Sequence, residues 1–394
     1  MLRMGLYGLI MLGTCAQLAA DDVPHFNRRN DFRNSRLEFE REGHGHVAFI
    51  GGSITEMDGY RQMVCADLQE RFPECEFDFT DAGIASTCST TGAFRLQRDV
   101  LAHGPVDLFF IEFAVNDDQD AAHTRQECIR GMEGMLRHAL AHNPQMDIVI
   151  TYFVNPEMLE TLHAGGTPLT IEAHETVAQH YGVTTVNLAA EVAKQISAGE
   201  LTWDQYGGTH PAPRGNRICA DMIRTLLNEA WGEPGSDEEK PAPHDVPAKP
   251  IDPHSYVNGR FISAESIHPG AGWRHEIPDW AMLPGQCRGR FLDLELYVAD
   301  EPGAELSIDF TGTAIGAYVL AGPDAGRIDV SVDGEPFEEV ELYHRFSKGL
   351  HYPRTVMFDA ELKPGEHSVR VRVAGTRHEL SSGQAVRVLE FVGN

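Results

Sequence analysis

Positive charge is scarce in this 394-residue chain, in which 32 Lys and Arg stand against 59 Asp and Glu for a formal net charge of −27. So acidic a surface repels phosphate backbones and anionic lipid heads, which sets nucleic acid aside as a partner. Closely spaced cysteines are also missing. None of the seven stands at CxxC spacing, so no zinc or dithiol motif is written in the chain. Cys65, Cys75, Cys88, Cys128, Cys219 and Cys287 are scattered through a chain long enough to fold without staples, and most of them read as buried free thiols. No internal repeat is visible. No stretch reads as a stable membrane span.

The apolar stretch in "MLRMGLYGLIMLGTCAQLAA" (1–20) is too short to cross a bilayer as a mature helix. With one Arg near its start and small residues before Asp21-Asp22, it has the layout of a secretion signal, and the expected location is periplasmic, cell-surface or secreted. "LGTC" loosely resembles a lipoprotein box, which makes lipidation of Cys15 the minor alternative. A polar lead-in follows to residue 43. Strand-like apolar runs at 47–51, 76–80, 107–113, 147–153 and 183–187 then alternate with helix-like stretches at 59–71, 91–102, 124–142, 170–181 and 212–231. That rhythm predicts an α/β domain over 21–230, a parallel sheet with helices on both faces.

Pro, Gly and charge crowd residues 231–254, which read as an exposed linker or a wrapped connection. Beyond it, segments such as "AELSIDFTGTAIGAYVLAG" and "GEHSVRVRVAG" alternate with period two between turn dipeptides like Asp333-Gly334 and Pro364-Gly365. No helical period intervenes. Residues 255–394 are therefore expected to form an all-β sandwich of jelly-roll type.

Ligands of a parallel α/β sheet sit at the carboxyl ends of its strands. The first such end carries Gly51-Gly52-Ser53, with a hydroxyl where a helix begins and free backbone N–H groups favour negative charge. The second is the small loop "DAGIASTCST" (81–90), the third carries Asn116-Asp117, and "WDQYGGTHPAPRGN" (203–216) brings His210. A hydroxyl, an imidazole and amide donors are the parts of an acyl-transfer site: the imidazole takes the serine proton, the oxygen attacks a carbonyl, and the donors hold the oxyanion.

In order and separation, "GGSIT", "DAGIASTCST", "FAVND" and "GGTHP" resemble the four sequence blocks of the SGNH, or GDSL-type, hydrolase superfamily. The resemblance covers roughly 44–230 and implies a flavodoxin-like three-layer fold and ester or thioester cleavage without metal, often deacetylation of polysaccharides. It makes Ser53 the nucleophile and His210 the general base. The oxyanion hole would comprise the Ser53 N–H, an N–H of the second block and the Asn116 side chain. Three positions depart from the pattern. Gly52 stands where many members have Asp. Ser86 aligns with the glycine usually credited with the oxyanion N–H, while Gly83 is retained, so either can supply it. Gly207 replaces the Asp three residues before the histidine, which leaves Asp204, or a backbone carbonyl, to orient His210.

The remaining polar groups have blander readings. His44 and His46 read as solvent histidines, and Asp117, Asp118 and Asp120 as a solvated acidic turn rather than a calcium loop. Arg95 reads as the partner of Asp99 one turn on. Tyr343, His344, His351 and Tyr352 suit either sugar stacking or packing against the first domain. No metal or cofactor is expected. The function expected is a secreted serine esterase that removes acyl, chiefly acetyl, groups from an oligo- or polysaccharide. A lipid or aryl esterase, or a non-catalytic carbohydrate-binding surface protein, are the alternatives, and nothing in the chain sets an oligomeric state.

Overall fold

The computed structural model describes residues 25–232 and 238–394. The expected signal over 1–20, with Cys15, lies outside the described residues. The first domain is built on a six-stranded sheet: β1 (Phe26–Asn27), β2 (His44–Gly51), β3 (Glu76–Gly83), β4 (Leu108–Glu112), β5 (Asp147–Thr151) and β6 (Thr184–Val186). Its order is β1-β6-β5-β4-β2-β3, with β2 to β6 parallel and β1 antiparallel at the edge. Val47–Ile50, Leu108–Ile111 and Ile148–Ile150 are continuous apolar runs, buried throughout, as a sheet with helices on both faces requires. The five parallel strands follow the flavodoxin-like order, whose switch point falls between β2 and β4. Ser53 follows β2 and Asn116 follows β4, so the topology itself puts both at the sheet's ligand-binding crevice.

Seventeen strands run through the described residues, and the second domain holds the other eleven: β7 (Arg260–Phe261), β8 (Ile267–Pro269), β9 (Arg274–Glu276), β10 (Leu296–Ala299), β11 (Glu305–Gly312), β12 (Ile315–Ala321), β13 (Arg327–Val332), β14 (Glu338–Glu341), β15 (Tyr352–Asp359), β16 (Gly365–Val373) and β17 (Val386–Gly393). They form two antiparallel sheets, β15-β12-β17-β10-β9 with β7 on β17, and β14-β13-β16-β11-β8. The first of these is covered on both faces. Along β12, Ala317 and Val319 belong to the core between the sheets, whereas Tyr318 and Leu320 belong to the core shared with the first domain. The alternation of a strand thus divides its residues between two cores.

The stretch expected as a linker does not stand free where it is described. Ala242 pairs with Asn34, the His244 ring meets Asp147 at 3.0 Å, Pro247 accepts from Arg137, and the Ile251 and Asp252 N–H groups donate to Glu133. Its prolines hold it extended along the first domain while buried carboxylates and amides pin it.

Candidate active site

Strands β3, β2 and β4 end level, with Gly83, Gly51 and Glu112 in register. Ser53 opens a single helical turn, Ser53–Glu56, directly after this line. Close approach, rather than unusual dihedrals, explains the glycine pair ahead of it. A Cβ on Gly51 would lie 2.2 Å from Thr55 Oγ1, and one on Gly52 would lie 2.0 Å from Asn116 Oδ1. The Asp that many family members carry at position 52 has no room here, because the Asn116 amide fills its place.

Ser53 Oγ and His210 Nε2 meet at 2.7 Å across 157 positions of chain. The histidine arrives on a shaped loop. A turn of helix, Trp203–Tyr206, is reversed by Gly207 (φ 109°) and Gly208 (φ 85°), both in the left-handed region that glycine tolerates. Asn216 then fixes the loop by donating to the Pro211 carbonyl at 2.7 Å and accepting from the Tyr60 N–H at 2.9 Å.

Asp204 is not brought to His210. It is exposed and, among the described residues, makes no hydrogen bond or ion pair, so the expected orienting acid has to be corrected. The physical reason is local. The carboxylate lies in the first turn of its helix, where the dipole favours it, and the glycine reversal sends the chain away from it. Position 207 cannot supply the acid either, since a Cβ there would lie 1.9 Å from the Ala212 nitrogen. Among the described residues, the histidine and serine form a pair without a carboxylate.

The second block separates its two amide candidates. The Gly83 N–H is spent on Asp81 Oδ1 at 3.0 Å, and its lack of a side chain admits the Glu56 backbone, 2.3 Å from where a Cβ would be. The Ser86 N–H donates to no protein group among the described residues, and Ser86 takes a left-handed φ of 72°. The Ser53 N–H, at the start of its helical turn, is likewise unspent. Asn116 gives one amide hydrogen to Asp120 Oδ2 at 2.9 Å and keeps the other.

Sequence reasoning missed how this side of the site is held. Asp120 is nearly buried, and its second oxygen accepts from the Tyr352 hydroxyl of the second domain at 2.6 Å, while its carbonyl is 2.8 Å from His344 Nε2. Arg288 donates to Ser86 Oγ at 2.8 Å and to the Ala85 carbonyl at 3.0 Å, and Arg290 donates to the Gly83 carbonyl at 2.8 Å and pairs with Glu56 at 2.9 Å. The signal for this was the "LYHRFSKGLHYPRT" cluster, for which interdomain packing stood as an open reading.

Several buried charges lie just beneath. Glu112 has its carboxyl pushed up to about 8, first by burial and also by Asp117 and Asp120 nearby. Asp117 behaves oppositely: burial would raise it, but His123 and His174 hold it well below the usual range. It accepts from the Ser89 N–H at 2.7 Å and from Ser89 Oγ at 2.6 Å, and His174 Nε2 lies 2.9 Å away. The expected solvated turn is therefore a buried network at Asp117 and Asp120. Cys88 with His123, and Cys128 with His174, gather around Asp117, but its oxygens are already committed to hydrogen bonds. Arg95, fully buried, pairs with Asp99 as expected and also donates to the Ala82 and Gly51 carbonyls, which ties the ends of β3 and β2 together. His46 is held rather than solvated, with Nδ1 2.9 Å from the Pro105 carbonyl and Nε2 2.8 Å from Thr80. All six cysteines after the expected signal are unpaired.

Residues 49–218 match the GDSL-like lipase/acylhydrolase family. Among solved structures, a two-domain esterase active on acetylated mannans shares 21% identity over 89% of this chain and 91% of that one, with a TM-score of 0.71. A second structure of such an esterase, co-crystallised with mannopentaose, shares 20% over 89% and 90%, again at 0.71. An acetylxylan esterase from Geobacillus stearothermophilus shares 19% over 46% of this chain and 94% of its own, at 0.36. No curated protein matches the chain. The family match falls on the residues that bring a serine, a histidine and free amide donors to one sheet crevice, so the first domain is that of a GDSL-like lipase/acylhydrolase over residues 49–218.

Proposed function

We propose that the protein is an exported acetylesterase of carbohydrates that works through a Ser53–His210 dyad, and the 2.7 Å approach of Ser53 Oγ to His210 Nε2 carries the reading. His210 Nε2 takes the hydroxyl proton as Ser53 Oγ bonds to the acetyl carbonyl carbon. The negative charge that develops on the carbonyl oxygen is met by the Ser53 and Ser86 N–H groups and the free hydrogen of the Asn116 amide. The sugar oxygen leaves with the proton from His210. Water then repeats the sequence on the acyl-serine and releases acetate.

An exposed His210 suits a polymeric alcohol that must be approached from solvent. The carbohydrate assignment is supported by the two-domain esterase that shares both domains and acts on acetylated mannans. Exposed Phe346, beside Tyr352 and His344 on the second domain, offers a ring face for a sugar at the same edge. Export is read from residues 1–20, and mass spectrometry of the mature N-terminus tests it.

Hydrolysis of para-nitrophenyl acetate and of acetylated mannan by wild type and Ser53→Ala tests the reading. Wild type is expected to release acetate from both, and the variant to lose at least about 10⁴-fold. Equal rates would remove Ser53 as nucleophile. One observation favours a larger acyl group: a groove of about 510 Å³ lined by Met57, Met63, Pro211 and Pro213 begins one residue from His210. Esters from acetyl to octanoyl separate the two, and a rate that rises with chain length supports the second.

A further inference from the structure

A cavity of about 250 Å³ lies in the seam between the domains, with Ser86, Thr90 and His123 on one wall and Tyr352, Arg354 and Glu341 on the other. Arg354 is the odd group in it. It is partly buried, yet among the described residues it donates no hydrogen bond and forms no ion pair. The buried arginines among the described residues are paired: Arg36 with Glu239, Arg95 with Asp99, Arg130 with Asp252 and Arg387 with Asp324.

The carboxylates around the cavity are already committed. Asp120 serves Tyr352, Gln119 and Asn116, Glu341 serves Arg327 and the Tyr343 N–H, and Glu127 caps its own helix through Thr124. His123 is balanced by Asp117. One cation is left without a hydrogen-bonded partner in a half-buried seam, drawn by Glu341 but not paired with it, an arrangement that costs stability until an anion arrives. Burial correspondingly holds the Arg354 guanidinium below the usual arginine range.

We propose that this cavity is a subsite for a single carboxylate, carried on one sugar ring or free as a small acid, with Arg354 as its bidentate partner. Arginine's planar fork matches a carboxylate. A phosphate dianion fits poorly, because Asp120, Glu127 and Glu341 surround a lone unpaired cation and repel a second negative charge. The volume admits one pyranose ring. Ser86 links the site to the reaction, for its free N–H belongs to the loop that faces the acyl oxygen on the proposed esterase reading. The carboxylate would therefore be a uronic acid neighbouring the acetylated sugar or the acetate product itself.

Binding to the full chain, followed by calorimetry and by melting temperature, tests this without measuring hydrolysis, so it stands or falls apart from the esterase reading. The probes are sodium glucuronate, sodium acetate, methyl glucoside and sodium chloride. A saturable response to glucuronate or acetate is expected, and none to the neutral glycoside or to chloride at equal ionic strength. Glucuronate alone would mark a substrate branch, acetate alone a product site. Arg354→Met should weaken the response at least about tenfold and, ligand-free, should melt no lower than wild type, because it removes an uncompensated cation. The proposal is overturned if neither acid gives a saturable response, if the variant responds as wild type does, or if the ligand-free variant melts well below wild type.

Discussion

The two flanks of the Ser53 site are held in different ways. On the side proposed as the oxyanion hole, Asn116 rests on Asp120, Asp120 rests on Tyr352, and the Ser86 loop is gripped by Arg288, all within hydrogen-bond distance and largely buried. On the other side, His210 is exposed, touches Ser53 and, among the described residues, has no carboxylate behind it. The fixed dipoles that stabilise charge need not reorganise during reaction, whereas the base must pass a proton in both directions. On the proposed mechanism the second domain thus stiffens the part of the site whose value depends on stiffness.

The contrast can be broken most severely at Asn116. Asn116→Ala is expected to lower kcat by about 10²–10³-fold, or roughly 2.7–4 kcal/mol, with a much smaller change in KM. Steady-state kinetics on para-nitrophenyl acetate reads this out, and an unchanged kcat would take Asn116 out of the hole.

Glu112 sharpens the same flank through pH. Its folded-state carboxyl is raised from 4.5 to about 8, so the neutral form is the one the fold favours. That contribution is whole below the ordinary carboxyl pKa, declines as pH rises and is gone above about 8, a loss on the order of a few kcal/mol. Melting temperature should therefore fall between pH 5 and pH 8 in wild type and much less in Glu112→Gln. Parallel curves would refute a neutral buried Glu112.

On the histidine flank, Gly207→Asp restores in sequence the carboxylate the family usually has, yet it should harm the enzyme. The turn is left-handed and a Cβ meets the Ala212 nitrogen, so a cost of at least about 1–2 kcal/mol is expected in stability, along with lower activity. A gain in kcat would show that the loop can rebuild itself into a triad.

Tyr352→Phe tests the cross-domain hold with one oxygen atom. Loss of its bond to Asp120 should reduce kcat by roughly five- to tenfold, about 1 kcal/mol, with KM little changed. Arg98→Ala, which removes a different interdomain contact to Glu390, should leave kcat where it was. If both variants lose activity equally, general docking rather than support of Asn116 is at work. The smallest effect belongs to Asp204→Asn, expected within about twofold of wild type, since that carboxylate has no partner among the described residues. A loss near 10⁴-fold would reinstate it as the orienting acid.

Much of this was legible in the residues. Period-two and helical spacing, with Gly and Pro as punctuation, are local properties, and they placed Ser53, Ser86 and Asn116 in the loops after three strands and His210 just ahead of the domain's last helix. The acidic turn was misjudged for the opposite reason. Nothing within a few residues of Asp117 or Asp120 announces that His174, 57 positions on, and Tyr352, 232 positions on, will bury and bond them.

The sequence by itself therefore determined the α/β and all-β halves, the glycine-led serine and the set of reactive groups, because these follow from backbone sterics and side-chain period. Only the tertiary structure decided that the Ser86 amide rather than that of Gly83 stays free, that Asp204 stands apart from His210, and that a tyrosine of the second domain supports Asn116 through Asp120. Those outcomes depend on which polar groups distant chain segments bring to one another, and a hydrogen bond once made to a near partner, such as Asp81 for Gly83, leaves nothing for a substrate.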